Sequence, residues 1–533
     1  MKFNISKTIV GLCCAASVLS TSCIEETFPT DAATEEQLSA SAKATEALLW
    51  AMPAFFNDYQ TVSSSHFEFG YGAIMHVRDV MTQDLTVVSS GYDWFSSWAE
   101  NQYQGESYAR TQYFWNYSWK FVQTANNMIT TLDPETATPV QLGYLGAGYA
   151  FRAFIYLDMA QMFEFLPNDK TSSINAAGNN VEGLTVPIVR EGMSEDEARN
   201  NPRVSRAEMA AFILEDLNNA EEYIVNLENS IKTLPHLDVV YGLKARYYMW
   251  LGDYANAKTY ARKAINEAST TPMTESQCLN TATGFNNINL WMWGSQMMSE
   301  DDVVKSGIIN WTSWLSNETN FGYAGIEPFN MIDASVYARI SDTDFRKKLW
   351  KAPAGTALEG QTPFLSASFE KNLCAYASVK FRPAEGNADD YNVGCASAYP
   401  VMRVEEMYFI EAEAAAHLND ADGQSLITNF MTTYRDPAYT CTATGNDLID
   451  EIVFQKRVEL WGEGQIFFDI KRLNMSVTRG YPGTNHAEAR RFNTQGRPAW
   501  MNFCIVRTEK NNNKGLEGYE NPDPSDAYTP WSE

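Results

Sequence analysis

The sequence predicts a mostly α-helical protein: helix pairs as a scaffold, a large irregular loop-rich region and a few short strands. Three observations predict it. Long segments carry apolar residues at three- and four-residue spacing, as in Leu142–Phe163 and in Met209, Phe212, Ile213, Leu217 and Ala220. A helix start is written at Ser205, with Glu208 three residues on as a capping box. From about Thr270 to Tyr399, Gly, Pro, Asn, Ser and Trp are frequent and periodic helices are scarce.

In chain order, Lys2 and Lys7 open a short basic segment, and Thr8–Leu19 is apolar but too short to span a membrane. Ser20, Thr21 and Ser22 then lead to Cys23. This order resembles the bacterial lipoprotein signal, in which the cysteine thiol is acylated and becomes the mature N-terminus. The usual Leu three residues before the cysteine is Ser20 here, with Leu19 one further back. Residues 1–22 therefore read as the signal peptide and Cys23 as the lipidation site, the alternative being an ordinary cleaved signal. Each buried CH₂ of an acyl chain contributes about 0.8 kcal/mol, so a multiply acylated terminus is a stable anchor. Glu25 and Glu26 resemble the export signal of Bacteroidetes surface lipoproteins. The expected location is the outer membrane, lipid-anchored and facing the cell exterior. Residues 23–41, rich in Thr, Ala, Ser and Glu, read as a solvated tether.

Two parts of one compact domain are expected beyond the tether, 42–270 and 271–533. The helix at Leu142–Phe163 ends before Pro167. In residues 239–265, Ala245 and Tyr248 fall on a first helix and Gly252-Asp253-Tyr254 forms a turn. Ala257, Ala261 and Ala264 line a second helix, where small residues permit close contact. The unit resembles a tetratricopeptide repeat, with Lys244 in place of the usual Leu. One good copy implies repeats embedded in a larger fold. Within the irregular region Ala375–Phe381 reads as a short strand, and helices return at Val401–Leu418 and Leu448–Trp461. Long loops on a helical scaffold commonly carry binding function.

The formal net charge is −26, and two units more negative without Lys2 and Lys7. Nothing in such a body neutralises phosphates, so nucleic acid is not an expected partner. Beyond the signal and Cys23 remain Cys278, Cys374, Cys395, Cys441 and Cys504, an odd number without CxxC spacing. The five histidines form no HExxH pair, and no P-loop, nucleotide fingerprint or GxSxG elbow appears. No cofactor and no metal ion is assigned.

Aromatic residues make up 13% of the chain and gather in runs with polar neighbours: Tyr92–Trp98, Tyr113–Trp119, Leu290–Gly294 and Asn310–Trp314. Aromatic faces stack on the apolar faces of sugars while amides, acids and Arg bond the hydroxyls. Rings also carry much of the buried area of a core. Any single Trp here serves either purpose, and at least one run is expected to be a ligand platform.

Two C-terminal stretches then carry a family resemblance. Tyr399–Leu418 (YPVMRVEEMYFIEAEAAAHL) and Ile452–Asn474 (IVFQKRVELWGEGQIFFDIKRLN) resemble the hallmarks of the SusD/RagB family, surface glycan-binding lipoproteins of Bacteroidetes. The matching residues are Arg403, Glu405, Glu406, Tyr408 and Glu411–Ala414, then Arg457, Glu459, Leu460, Glu463, Gly464, Phe468–Ile470 and Arg472. Gln455 or Lys456 replaces the family's first acid. Phe151–Pro167, Val186–Val189 and Pro202–Glu221 fit as well, with Glu164 where Gly is common. The resemblance implies a SusD-like fold and a non-catalytic protein that captures oligosaccharides for a SusC-like TonB-dependent outer-membrane transporter. It also suggests ligand contacts at Arg78, Asp84, Trp94, Trp98 and Asn101, with Trp291, Trp293, Trp311 or Trp314 from the middle region. Arg78 would fork onto vicinal hydroxyls, Asp84 and Asn101 would bond singly, and the tryptophans would stack. The alternative for Arg78 and Asp84 is a buried ion pair.

Paired acids are what glycosidases use, so Glu459 and Glu463 need a second reading. Their one-turn spacing beside Arg457 suits helix ion pairs, and structure is expected over catalysis. A secreted helical glycosidase and a peptide-capturing member of the same family stand as alternatives.

Overall fold

The computed structural model describes residues 39, 41–60 and 62–533. The signal 1–22, Cys23 and most of the tether lie outside the described residues. The N-terminal part is built from α1 (Ala42–Phe55), α2 (Tyr71–Val80), the single turn α3 (Ser96–Ala99), α4 (Ala109–Thr131), α5 (Pro139–Phe163) and α6 (Arg206–Tyr223). The expected helix at Leu142–Phe163 is α5. It begins three residues earlier, because Thr138 and Gln141 form a capping box and Pro139 takes the first turn, where its missing N–H costs nothing. α5 lies between α4 and α6, and every residue from Ala150 to Phe163 is buried. A Cβ on Gly143 or Gly146 would sit 2.7 or 2.5 Å from backbone atoms of Asn226 or Ile224, so only glycine admits this approach. α6 starts on the expected box of Ser205 and Glu208.

The repeat-like unit folds as α7 (Leu237–Leu251) and α8 (Tyr254–Glu267). Gly252 turns the chain at φ 73°, and Asp253 caps α8. Ala257, Ala261 and Ala264 are its buried stripe. Lys244 stands where Leu is usual because its ammonium reaches Glu221 and Asn218, the latter at 2.7 Å.

Residues 270–399 are irregular as expected, with short helical turns such as α9 (Trp311–Leu315). Two small antiparallel sheets cross the molecule. β1 (Leu85–Val87) pairs with β3 (Asn330–Ile332), and β2 (Trp293–Gln296) pairs with β4 (Ala398–Met402). The strand expected at Ala375–Phe381 is not one. Ala377 bridges Met331 while Ser378 bridges Trp350, so the partner changes from one residue to the next and no ladder forms.

β4 runs through Arg403 into α10 (Val404–His417), followed by α11 (Asp422–Tyr434), α12 (Asn446–Glu459) and α13 (Ile466–Arg472). α8 and α10 pack together, tied by Arg262 and Glu411. The hallmark acids lie in an interior ion network. Arg403 donates to Glu463 (2.9 Å) and Glu459 (3.0 Å) and pairs with Glu405 at 2.8 Å. Arg435 and Arg346 also reach Glu459, and Lys380 reaches Glu463 at 2.7 Å. The expected helix pairing with Arg457 is corrected: α12 ends at Glu459, Arg457 turns instead to Asp84, and Glu463 lies beyond the helix. The C-terminal residues return to the first helices. Trp500 Nε1 donates to the Met81 carbonyl at 3.0 Å, and Asn521 to Phe163 at 2.8 Å.

Among the described residues five cysteines are free: Cys278, Cys374, Cys395, Cys441 and Cys504. Among the described residues no helix is long and apolar enough to cross a membrane.

Candidate functional site

Most of the residues suggested as ligand contacts lie in the interior, and each has a packing reason. Arg78 has no exposed surface; it donates to Asp158 (2.6 Å) and the Tyr71 hydroxyl (2.8 Å) and stacks over Phe468. Fully enclosed, it cannot fork onto a sugar from the surface. Asp84 is the buried partner of Arg457, not of Arg78. Asn101 donates to the Pro524 carbonyl at 2.9 Å. Trp98 packs edge-on against Phe67, and Trp291 tilts against Phe285. Trp293 is ringed by Phe56, Phe151 and Phe154 at 4.9–5.4 Å and donates to the Thr233 carbonyl. Trp311 stacks on Tyr399 at 4.9 Å. A ring enclosed on both faces offers none to a ligand. Trp98, Trp291, Trp293 and Trp311 are thus core residues, and the assignment of these rings to a platform is corrected.

Trp94 alone of the set is exposed, at 38%. It lies on the loop after β1, and its neighbours are ones the sequence did not single out. The His66 ring stacks on it nearly parallel, with centroids 4.7 Å apart. His66 Nδ1 also meets the Tyr323 hydroxyl. Tyr323 in turn stacks on Trp314 at 3.6 Å, and Trp314 Nε1 donates to the His66 carbonyl at 3.2 Å. Trp314 therefore supports the layer from beneath and does not face outward. Tyr92, two residues before Trp94, is 61% exposed.

Both loops are anchored by buried acids. The Glu68 carboxylate accepts from the backbone N–H groups of Val62 and Ser63, closing the loop that carries His66. Asp93 accepts from Phe95 N at 2.9 Å and pairs with Arg490 at 3.0 Å, and Arg490 also binds the Val87 carbonyl. Burial lowers the His66 pKa, favouring the neutral ring. The product is a shallow, uncharged aromatic platform on fixed loops. Such a surface can stack on a sugar's apolar face without desolvating a charge. The alternation of the run was the missed signal: Tyr92 and Trp94 point out, Asp93 and Phe95 point in.

Two open clefts lie elsewhere. One of about 670 Å³ is lined by charged and amide side chains from Arg190 to Asn201 and has no ring. The other, about 520 Å³, has Trp50 and Tyr59 on its wall beside Asp58 and Asp301. Glu459 and Glu463, both buried, face neither.

Residues 354–530 match the model of the SusD family. The matched segment takes in β4 and the helices α10 to α13. A SusD-like carbohydrate binding protein from Bacteroides vulgatus superposes with a TM-score of 0.70 at 22% identity, over 90% of this chain and 98% of that one. A SusD superfamily protein from Bacteroides thetaiotaomicron gives 0.65 at 16% identity, over 90% and 99%. Surface glycan-binding protein A from the same organism, solved in complex with laminarihexaose, gives 0.62 at 15%, also over 90% and 99%. At these identities the likeness establishes a SusD-like fold. No curated protein matches the sequence.

Proposed function

We propose that this protein is a non-catalytic, cell-surface lipoprotein of the SusD family that captures oligosaccharides and hands them to a SusC-like TonB-dependent transporter. The observation that carries the reading is the exposed, buttressed stack of Trp94 on His66. The family match and the laminarihexaose complex of a structural relative support a glycan as the ligand. The one acid pair with the look of a glycosidase pair, Glu459 and Glu463, is saturated by Arg403, Arg435, Arg346 and Lys380 and cannot reach a glycosidic oxygen. Anchorage through Cys23 keeps the platform at the outer surface.

A shallow site that must release its cargo binds modestly, with Kd between roughly micromolar and millimolar. The test is a glycan array on the soluble body, calorimetry with the best neutral hit, and the same titration with two variants. Trp94→Ala is expected to weaken binding about tenfold or more with little change in Tm, whereas Trp50→Ala in the second cleft leaves it unchanged. Loss of binding in Trp50→Ala alone moves the site to that cleft. New reducing ends during incubation would overturn the non-catalytic reading. For the anchor, Cys23→Ala is expected to release the protein from outer-membrane fractions; unchanged fractionation would refute lipidation there.

A further inference from the structure

Arg110, in the first turn of α4, is a half-buried cation with no counter-charge. Its guanidinium carbon lies 5.6 Å from the centroid of Trp98, 5.8 Å from Tyr103 and 5.9 Å from Phe67. Its buried Nε has no acceptor, and among the described residues no carboxylate pairs with it. Other buried arginines that lack an acid are satisfied differently. Arg203 donates to the carbonyls of Thr185, Leu184, Phe163 and Tyr519, and Arg479 to those of Thr82, Val80 and Ala99. Arg110 has neither solution in a chain of net charge −26, where acids are plentiful.

The surroundings are those of a binding edge. Tyr103 and Tyr108 are 48% and 40% exposed, and their rings meet edge to face at 5.2 Å. In the same bend Asn101 Oδ1 and Gln104 Nε2, both on buried side chains, lack hydrogen-bond partners. The bend adjoins the platform: Phe67, against which Arg110 and Trp98 pack, follows His66 in the chain.

We propose that Arg110, framed by Tyr103 and Tyr108, is a subsite for the carboxylate or sulfate of an acidic sugar. The inference rests on the glycan-binding reading and makes its preferred substrate an anionic oligosaccharide. A guanidinium offers paired N–H donors in a fork that matches a carboxylate or sulfate edge, and the tyrosines supply faces for the ring that bears it. A neutral hydroxyl would leave the half-buried charge uncompensated. The acidic body does not forbid the contact. Its field falls off over about 8 Å at physiological salt, while the ion pair forms at contact.

The test is calorimetry of the soluble body with galacturonate, glucuronate and sulfated galactose oligosaccharides, each against its neutral counterpart. At least one acidic member is expected to bind about tenfold or more tighter than its neutral partner. Arg110→Gln should abolish that difference while leaving the neutral titration unchanged, and Arg110→Lys should restore part of it. The carboxylate and sulfate arms identify the anion. If neutral and acidic forms bind wild type equally, or if Arg110→Gln keeps the preference, the subsite is refuted and the platform reading stands. If no oligosaccharide binds, both fall.

Discussion

Arg403→Ala is expected to cost about 3–5 kcal/mol of stability, the usual cost of breaking a buried ion pair from one side. The substitution removes the cation that joins Glu405, Glu459 and Glu463, all buried, and leaves acids without full compensation. Burial alone would raise the Glu459 pKa; the charges of Arg435, Arg403 and Arg346 outweigh it and hold that carboxyl well below the usual range. The same balance around Glu413, where Arg472, His417 and Lys456 oppose burial, brings it to about 2. These are depressed carboxylates. Their stabilisation is therefore fully present above the ordinary Glu value of about 4.3 and is lost as pH falls through the folded values. Denaturant melts from pH 6 to pH 2.5 should show stability falling below about pH 4.5, with a shallower fall in Glu413→Gln. An Arg403→Ala protein that melts with wild type would show the network to be dispensable.

The network also shows where sequence reasoning ends. The hallmark residues were legible as a set, but the pairing that their one-turn spacing suggests is not the one formed: the helix ends at Glu459 and Arg457 turns to Asp84. Their partners were not legible. Arg346 and Arg435 meet Glu459, and Lys380 meets Glu463, only through the folded chain. Helices were read well where local signals exist: the Ser205–Glu208 box, the Gly252 turn and the alanine stripe of α8 are all written in neighbouring residues. The small sheets are not local. β1 and β3 are separated by most of the helical scaffold, so only long-range packing selects that pairing. The same limit governed the candidate site. A Trp in a polar-looking run reads alike whether its ring faces water or a neighbour, and Trp311 was settled by Tyr399, Trp293 by Phe151 and Phe154.

Trp293→Ala and Trp94→Ala should behave oppositely, and the contrast separates the core from the binding face. Trp293 has no exposed surface, lies amid three phenylalanine rings and bonds a carbonyl through its indole N–H. Its removal opens a cavity that the packed helices α1 and α5 cannot close, at a cost of about 3–5 kcal/mol. Any loss of glycan affinity in that variant should follow its loss of folded protein and disappear at temperatures where both proteins are fully native. Trp94 rests on His66 with its outer face in solvent, so truncation creates no cavity. Its cost should stay within about 0.5 kcal/mol, as for other surface changes. Thermal melts beside calorimetry of both variants, at a temperature well below either midpoint, decide the matter. A Trp94→Ala protein that melts early and binds normally when native would make Trp94 a structural residue and remove the platform on which the glycan reading stands.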